Sequence, residues 1–578
     1  MIGLLKYAKK YRKQMILGPF FKFLEACFEL VLPLFMARLV DQGIRLNDRT
    51  YVIQMGLWML GMSVVGLLCV MVCQYYASIA SQGFGTELRN QLMKKINQLS
   101  HAELNSVGTD TLITRITNDI NQLQIALAML IRLIIRAPFL SIGSVVMAFY
   151  IDVQMGLLFL ILLPIFCLIL FFIIKVTVPL YKKVQANLDR LNRQISQTLS
   201  GVRVIRAFAR KKTEQQQVEQ VTDELAQVSI HVSNLSALLN PATTLVMNIG
   251  ILALLYTGGF KVNIGTLQQG EVLALINYMN QMLLALIVVS NLVIIFTRAS
   301  ASASRVNEIL SIDSSLPAHL SANQKAPQFG TITFEHVDFR YEANAGLALK
   351  QIHLTIPKGS TLGITGPTGS GKSTLTQLIP RFYDVSAGNL FIGGRNVRDW
   401  PLMTLRNQIA LVPQTAVLFT GTIRENLQWG KPDATDQECW EALAIAQCKE
   451  FVQQLEHGLD TLVNEGGKNF SGGQKQRLTI ARALIRKPQL LILDDSLSAL
   501  DYQTDLQLRT ALKTQLSETS LILISQRISS IVGAQQILVL DSGRQVGLGT
   551  HEQLLANSKE YREIVASQEE DAHVDQKN

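Results

Sequence analysis

Six stretches of this chain are apolar over the roughly 20 residues that a helix needs to cross a bilayer: 15–40, 53–80, 134–151, 154–177, 240–259 and 272–297. In hydrocarbon every backbone polar group must be satisfied inside its own segment, so such runs are confined to helices. Six crossings return the chain to its starting side. Lys6, Lys9, Lys10, Arg12 and Lys13 ahead of the first run place that side in the cytoplasm. The connections on the far side are short, around Asp41 to Asp48, at Asp152, and around Lys261 to Gln269. The first run does not fit a cleaved signal: it is long, it contains Lys22, Glu25 and Glu29, and no small-residue cleavage site ends it.

The cytoplasmic connections are long and read as helices. Leu88, Leu92, Ile96 and Leu99 recur at helical spacing in one, and Val184, Leu188, Leu191, Ile195 and Leu199 in the other. After Arg298 the run Ala299 to Ser304 leads into a helical stretch, and Ser314, Ser315, Pro317 and Pro327 then mark a linker. Short apolar strands alternating with helical patterns follow, the signature of an α/β domain. The expected division is a membrane domain over 1–300, a linker over 301–329, an α/β domain over 330–570 and a polar tail over 571–578.

Composition agrees with a membrane half joined to a soluble half: mean hydropathy is +0.24 and 17% of residues are charged. The formal charge of +9 fits basic residues flanking membrane segments and not a nucleic-acid partner. The six cysteines show no zinc-ligand spacing and read as small apolar core residues in a reducing context.

The chemistry lies in the second half. Gly366, Pro367, Thr368, Gly369, Ser370, Gly371, Lys372, Ser373 and Thr374 follow the apolar strand Thr361 to Thr365 and open a helix, as a phosphate-binding loop must. Glycines let successive N–H groups turn toward phosphates, Lys372 reaches the outer phosphates, and the Ser373 hydroxyl suits Mg²⁺. The apolar strand Gln489 to Asp494 supplies a second oxygen for that ion.

Phe470, Ser471, Gly472, Gly473 and Gln474 then resemble the signature motif of ATP-binding-cassette (ABC) proteins, with Gln476 and Arg477 in the usual continuation. In family order, Tyr341 resembles the adenine-stacking aromatic, Gln414 in Val412-Pro413-Gln414 the loop that senses Mg²⁺ and the membrane domain, and Ser498 to Asp501 the D-loop. The resemblance spans the chain and implies an α-helical six-transmembrane-helix exporter domain with long cytosolic extensions, followed by an α/β P-loop cassette. It implies ATP and Mg²⁺, and cassettes paired head to tail, so that Ser471 to Gln474 complete a partner's ATP site. Leu104 to Ile113 and Ile205 to Lys212 look like the two coupling helices that touch the cassettes.

Two positions depart from the family. Asp495 stands where a Glu normally positions the attacking water, and Gln526 stands where the family has its switch His. A carboxylate retracted by about 1.5 Å falls out of direct reach of that water. The resemblance then implies a degenerate ATP site on this chain, paired with a second half-transporter that keeps Glu and His, as in asymmetric bacterial multidrug exporters. A slow homodimer moving lipids or peptides, and an ATP-gated channel, are the alternatives. In the first crossing, Lys22, Glu25 and Glu29 share one helix face. Either the glutamates attract cationic substrates into the transport cavity, or a Lys22–Glu25 pair fixes packing. Phe149, Tyr150, Tyr256, Tyr278 and Phe296 read as interfacial anchors or packing before they read as a substrate site.

Overall fold

The computed structural model describes residues 2–313, 328–342 and 344–575. The linker breakers Ser314, Ser315, Pro317 and Pro327, and the end of the polar tail, lie outside the described residues. The chain divides into two compact units, one of residues 1–97 and 109–312, the other of residues 98–108 and 313–578.

The first unit is helical: α1 (Arg12–Arg38), α2 (Arg49–Ile96), then, beyond α3 (His101–Val107) of the other unit, α4 (Thr109–Thr114), α5 (Ile120–Leu133), α6 (Arg136–Ile151), α7 (Val153–Ser200), α8 (Val202–Ala207), α9 (Lys211–Ala237), α10 (Leu239–Ile264) and α11 (Gln269–Ser311). All six apolar runs lie in helical segments. Among the described residues, four helical runs are long and apolar enough to cross a membrane, Arg49–Ile96, Thr109–Ile151, Lys211–Ile264 and Gln269–Val289, with Val153–Ile169 a shorter apolar helix. Four of the six expected crossings meet that measure among the described residues, Val153–Ile169 being the apolar stretch of α7; α1 falls outside it, with Lys22, Glu25 and Glu29 in its apolar run. At 48 residues, α2 and α7 are each about 72 Å long at 1.5 Å per residue, more than twice the roughly 30 Å hydrocarbon thickness. Their polar ends extend beyond any bilayer they cross.

The unit's core joins Ala26 and Leu30 of α1, Leu140 and Ala148 of α6, Phe159 and Phe166 of α7, and Tyr278, Met279 and Met282 of α11. Tyr278 is fully buried, and its hydroxyl donates to the Leu30 carbonyl at 2.6 Å, which satisfies the polar end of an otherwise apolar ring. The charges of α1 are paired. Lys22 Nζ lies 2.5 Å from Glu25, and Arg136 of α6, which sequence reasoning did not connect to them, sits 2.9 Å from Glu29 and 3.7 Å from Glu25. Two cations face two anions, which favours the packing reading over free glutamates awaiting a cation. At Arg115–Asp119 the helix takes a π turn. Asp119, 1% exposed, receives Ser302 Oγ at 2.9 Å and Arg305 Nε at 3.0 Å, locking this turn to α11. All six cysteines are free, but Cys167 is exposed and Cys27 half-buried, so not every one is a core residue.

The second unit is built on a twelve-strand framework: β1 (Ile332–Phe339), β2 (Leu349–Ile356), β3 (Thr361–Thr365), β4 (Ala387–Ile392), β5 (Arg395–Asn396), β6 (Ile409–Val412), β7 (Gly421–Thr422), β8 (Leu462–Val463), β9 (Leu490–Asp494), β10 (Ser520–Ile524), β11 (Gln536–Asp541) and β12 (Arg544–Gly549). Ten form one sheet in the order β5-β4-β1-β2-β12-β11-β3-β10-β9-β6, and β7 pairs with β8 apart from it. The segment β11-β3-β10-β9-β6 is parallel. Every residue of β9 is buried, as expected where helices cover both faces of a parallel sheet. The site lies where such sheets place their ligands, beyond the carboxyl ends of the strands.

Helix α3 belongs to this unit although it comes from the first cytosolic connection. A capping box of Ser100 and Glu103 starts it, and Gly108, at φ +80°, ends it. His101 packs against Phe382, ring centroids 4.3 Å apart and tilted by 52°, and Asn105 Nδ2 donates to the Tyr383 hydroxyl at 2.9 Å. The first contact element is therefore His101–Val107 and not Leu104–Ile113: the cap sets the start, and Gly108, at a positive φ that favours glycine, stops the helix before Thr109. The second expected stretch, Ile205–Lys212, spans the end of α8 (Val202–Ala207), a break, and the start of α9 at Lys211.

Candidate nucleotide-binding site

The loop after β3 turns through two glycines that tolerate no side chain. Gly366 has φ +144°, and a Cβ there would lie 2.0 Å from the Leu540 carbonyl oxygen; Gly371, at φ +99°, would press on Leu349 and the Ala348 carbonyl. Only glycine adopts these conformations without strain. The loop then enters α12 (Lys372–Leu378), whose first N–H groups face the loop concavity, an arrangement suited to anions. Lys372, 9% exposed, folds back so that its ammonium donates to the carbonyls of Gly366 at 2.8 Å and Pro367 at 2.7 Å.

A cavity of about 370 Å³ opens beside this loop. It brings together Tyr341, Thr368, Gly369, Gly371, Lys372, Ser373 and Thr374 with Gln414, Asp494, Asp495 and Gln526, residues spread over nearly 190 positions of sequence. Ser373 Oγ donates to Asp494 Oδ1 at 2.9 Å. That pairing of a hydroxyl with a carboxylate, with Gln414 on the same wall, is the hard-oxygen donor set that suits Mg²⁺, which takes one or two protein carboxylates and fills its remaining positions with phosphate and water. Among the described residues no group of three or more His, Cys, Asp or Glu could hold a metal ion.

Electrostatics agree. Burial pushes the Lys372 ammonium below its ordinary value, against the opposing pull of Asp495 and Asp494. Burial likewise pushes Asp494 up, partly offset by the Ser373 hydroxyl, and pushes Asp495 up, partly offset by Gln414. Each desolvated charge gains from an opposite one brought by a ligand: phosphate for Lys372, a divalent cation for the carboxylates.

The two departures meet in this cavity. Asp495 is left-handed at φ +46°, its N–H donates to the Ile524 carbonyl at 3.0 Å, and Gln414 Nε2 donates to its carboxylate at 3.1 Å. The short side chain is drawn toward the Gln414 loop. Gln526 lines the same cavity, and its carbonyl accepts from Gln568 of the C-terminal helix at 2.6 Å.

The structure does not bring every expected site residue here. Ser471, Gly472, Gly473 and Gln474 do not line the cavity. Ser471 caps its helix in a reciprocal box with Gln474. Ser498 donates to the Asp495 carbonyl at 2.7 Å, and Asp501 caps the helix Tyr502–Gln515. Sequence reasoning missed Tyr383 and Phe382, although their place directly after the phosphate-loop helix was a usable signal.

Comparison with known proteins agrees with this geometry. Residues 15–286 match the model of the ABC transporter transmembrane region, and residues 349–498 match that of the ABC transporter. An uncharacterized ABC transporter ATP-binding protein of Mycobacterium tuberculosis is 37% identical over 578 aligned residues, 98% of each chain. The ATP-dependent lipid A-core flippase of Pectobacterium atrosepticum is 30% identical over 91% of this chain and 90% of its own. In fold, the chain is similar to a bacterial Atm1-family ABC exporter with ATP bound, at a TM-score of 0.81 and 23% identity, over 96% of this chain and 99% of that one. A helical membrane unit, a phosphate loop with its acidic strand, and relatives matched along nearly the whole length lead to one conclusion: this chain belongs to the ABC transporter family.

Proposed function

We propose that this chain is one half of an ATP-driven exporter in a bacterial plasma membrane, with six crossings, both termini and the cassette in the cytoplasm, and amphipathic compounds moved outward. We further assign it the degenerate ATP site of a heterodimer. The observation that carries this is the joint occurrence of Asp495 and Gln526 on the wall that also holds Lys372, Ser373 and Asp494. Binding chemistry is intact there, while the water-positioning carboxylate is short and tied to Gln414. A general base must lie within hydrogen-bond reach of the water it activates, and a neutral amide at Gln526 brings no positive charge to the γ-phosphate.

In this reading Tyr341 would stack the base, the loop N–H groups and Lys372 would hold the phosphates, and Ser373 and Asp494 would hold Mg²⁺, which would supply charge neutralisation. ATP bound here clamps two cassettes together, and hydrolysis proceeds mainly at the site formed by the partner's loop and this chain's Ser471 to Gln474. Closure is transmitted to the membrane helices and opens the cavity outward.

On the substrate side, a cavity of about 790 Å³ in the membrane unit is lined by Ile134, Pro138, Val293, Phe296, Thr297 and Ser300, among others, without a charged side chain. With the α1 charges paired with one another and with Arg136 of α6, this favours a predominantly apolar amphiphile over a multivalent ion. It also keeps a second reading alive, a homodimeric lipid exporter with slow hydrolysis, to which the flippase relative lends support.

The deciding experiment is ATPase activity of the chain alone and with its partner half-transporter, for the wild type and for Asp495→Glu with Gln526→His. Near-zero activity alone, strong activity with the partner and a gain from the double substitution support the degenerate site. Brisk activity alone, abolished by Lys372→Ala, would establish the homodimer. ATP-dependent dye accumulation in inside-out vesicles separates either pump from a channel, which cannot build a gradient.

A further inference from the structure

Tyr341 presents one face outward, 46% exposed, and is held on its others. Its hydroxyl shares a hydrogen bond with Thr374 Oγ1 at 2.9 Å. Its ring meets Tyr383 edge-on at 5.2 Å and 89°, and Phe339 at 4.9 Å and 80°. Phe339 is buried at 2% and also contacts Tyr383 at 5.5 Å, so the three rings form one cluster in which the Tyr341 edge cannot turn without displacing Tyr383. The Tyr383 hydroxyl in turn accepts from Asn105 on α3 at 2.9 Å.

Helix α3 is fit to receive that restraint. It is a seven-residue helix closed by a capping box at one end and a positive-φ glycine at the other, so it moves as a piece. Its second attachment is His101 on Phe382, whose ring also lies 5.3 Å from the Arg406 guanidinium. His101, Asn105, Tyr341, Tyr383 and Asp494 together wall a cavity of about 490 Å³, which makes α3 a wall of the space that the nucleotide-site residues close from the other side.

We infer that Tyr383 is a positioning residue that reports a base stacked on Tyr341 to α3, through its hydroxyl contact with Asn105. This rests on the reading of the cavity as an ATP site and goes beyond it, because it assigns the sensing to the base and not to the phosphates. A purine on the open face of Tyr341 removes freedom from that ring, the edge-on contact passes the restriction to Tyr383, and the Asn105 hydrogen bond becomes more persistent. The coupling is reciprocal: whatever steadies α3 tightens the base contact by the same factor.

The test is amide hydrogen exchange on the full chain in nanodiscs, followed in peptides covering 98–108 and 366–371, with Mg-ATP or with Mg-tripolyphosphate, which occupies the phosphate loop and carries no base. Loss or gain of one hydrogen bond of this kind corresponds to about threefold to tenfold in an opening equilibrium. Mg-ATP is expected to slow exchange of 98–108 by that factor, and tripolyphosphate to leave it unchanged while still protecting 366–371. Tyr383→Phe, which keeps the ring and deletes the hydroxyl, and Asn105→Ala, on the solvent-facing helix, are each expected to abolish the α3 response. Their double variant should be no worse than either alone. Protection of 366–371 by Mg-ATP in the variants shows that they fold and bind. Equal α3 protection by tripolyphosphate, an undiminished response in either variant, or an unresponsive wild-type α3 with a protected loop would overturn the relay. Failure of Mg-ATP to protect 366–371 in the wild type would instead remove the nucleotide site and the relay with it.

Discussion

At the scale of single residues, the site is specified by backbone conformation as much as by side chains. Gly366 leads the chain from a fully parallel strand into the phosphate loop at φ +144°, with the Leu540 carbonyl 2.0 Å from where a methyl would sit. Because that carbonyl belongs to the neighbouring strand β11, it cannot yield without breaking the sheet. Gly366→Ala is expected to lower cassette stability by about 1–3 kcal/mol and to remove nucleotide binding, checked by thermal unfolding with and without Mg-ATP. The ligand-induced rise in midpoint expected of the wild type should vanish in the variant. Lys372 illustrates the complementary point: its ammonium is already satisfied by two carbonyls, so it is preorganised and reaches a phosphate without first being extracted from water.

At the scale of elements, the α1–α6 contact depends on a charge network whose members are individually expensive in an apolar surrounding. Arg136→Leu leaves Glu29 without its cation and is expected to cost on the order of 3 kcal/mol. Arg136→Leu combined with Glu29→Leu, which retains the Lys22–Glu25 pair, should recover most of that loss in the same unfolding assay. The α3 attachment has a pH signature. Burial first, and Arg406 second, push His101 below the usual histidine value, so the folded contact favours the neutral ring. Its contribution is fully present above the free-histidine pKa, about 6.5, and is lost as pH falls through the lowered folded value. Exchange at 98–108, corrected for intrinsic rates, should therefore accelerate relative to 366–371 as pH is taken from 7.5 to 5.5, and His101→Phe should abolish the difference.

At the scale of the whole molecule, what was legible in the sequence was whatever local pattern alone decides. The helical confinement of the apolar runs and the glycine loop after β3 each follow from a few neighbouring residues. What was not legible depended on partners far along the chain: Arg136 lies 107 positions from Glu29, and Tyr383 lies 278 from Asn105. Periodicity carries no information about such pairs, and the coupling element was misplaced toward Ile113 because the stop at Gly108 is a backbone property of one residue. A cassette expressed from residue 328 onward lacks α3, leaving Phe382 and Tyr383 uncovered. It should unfold at lower temperature than the cassette of the full chain and recover when a peptide of residues 98–108 is supplied.

The 278 positions that separate Asn105 from Tyr383 also have a meaning in time. At the usual 5–20 residues per second of synthesis, α3 waits on the order of 10–60 s for the surface it packs against. During that interval the first cytosolic connection must remain soluble on its own, which its capped, mostly polar seven-residue helix permits. The piece that the cassette packs against is thus made long before the cassette itself, and is at hand when Phe382 and Tyr383 emerge.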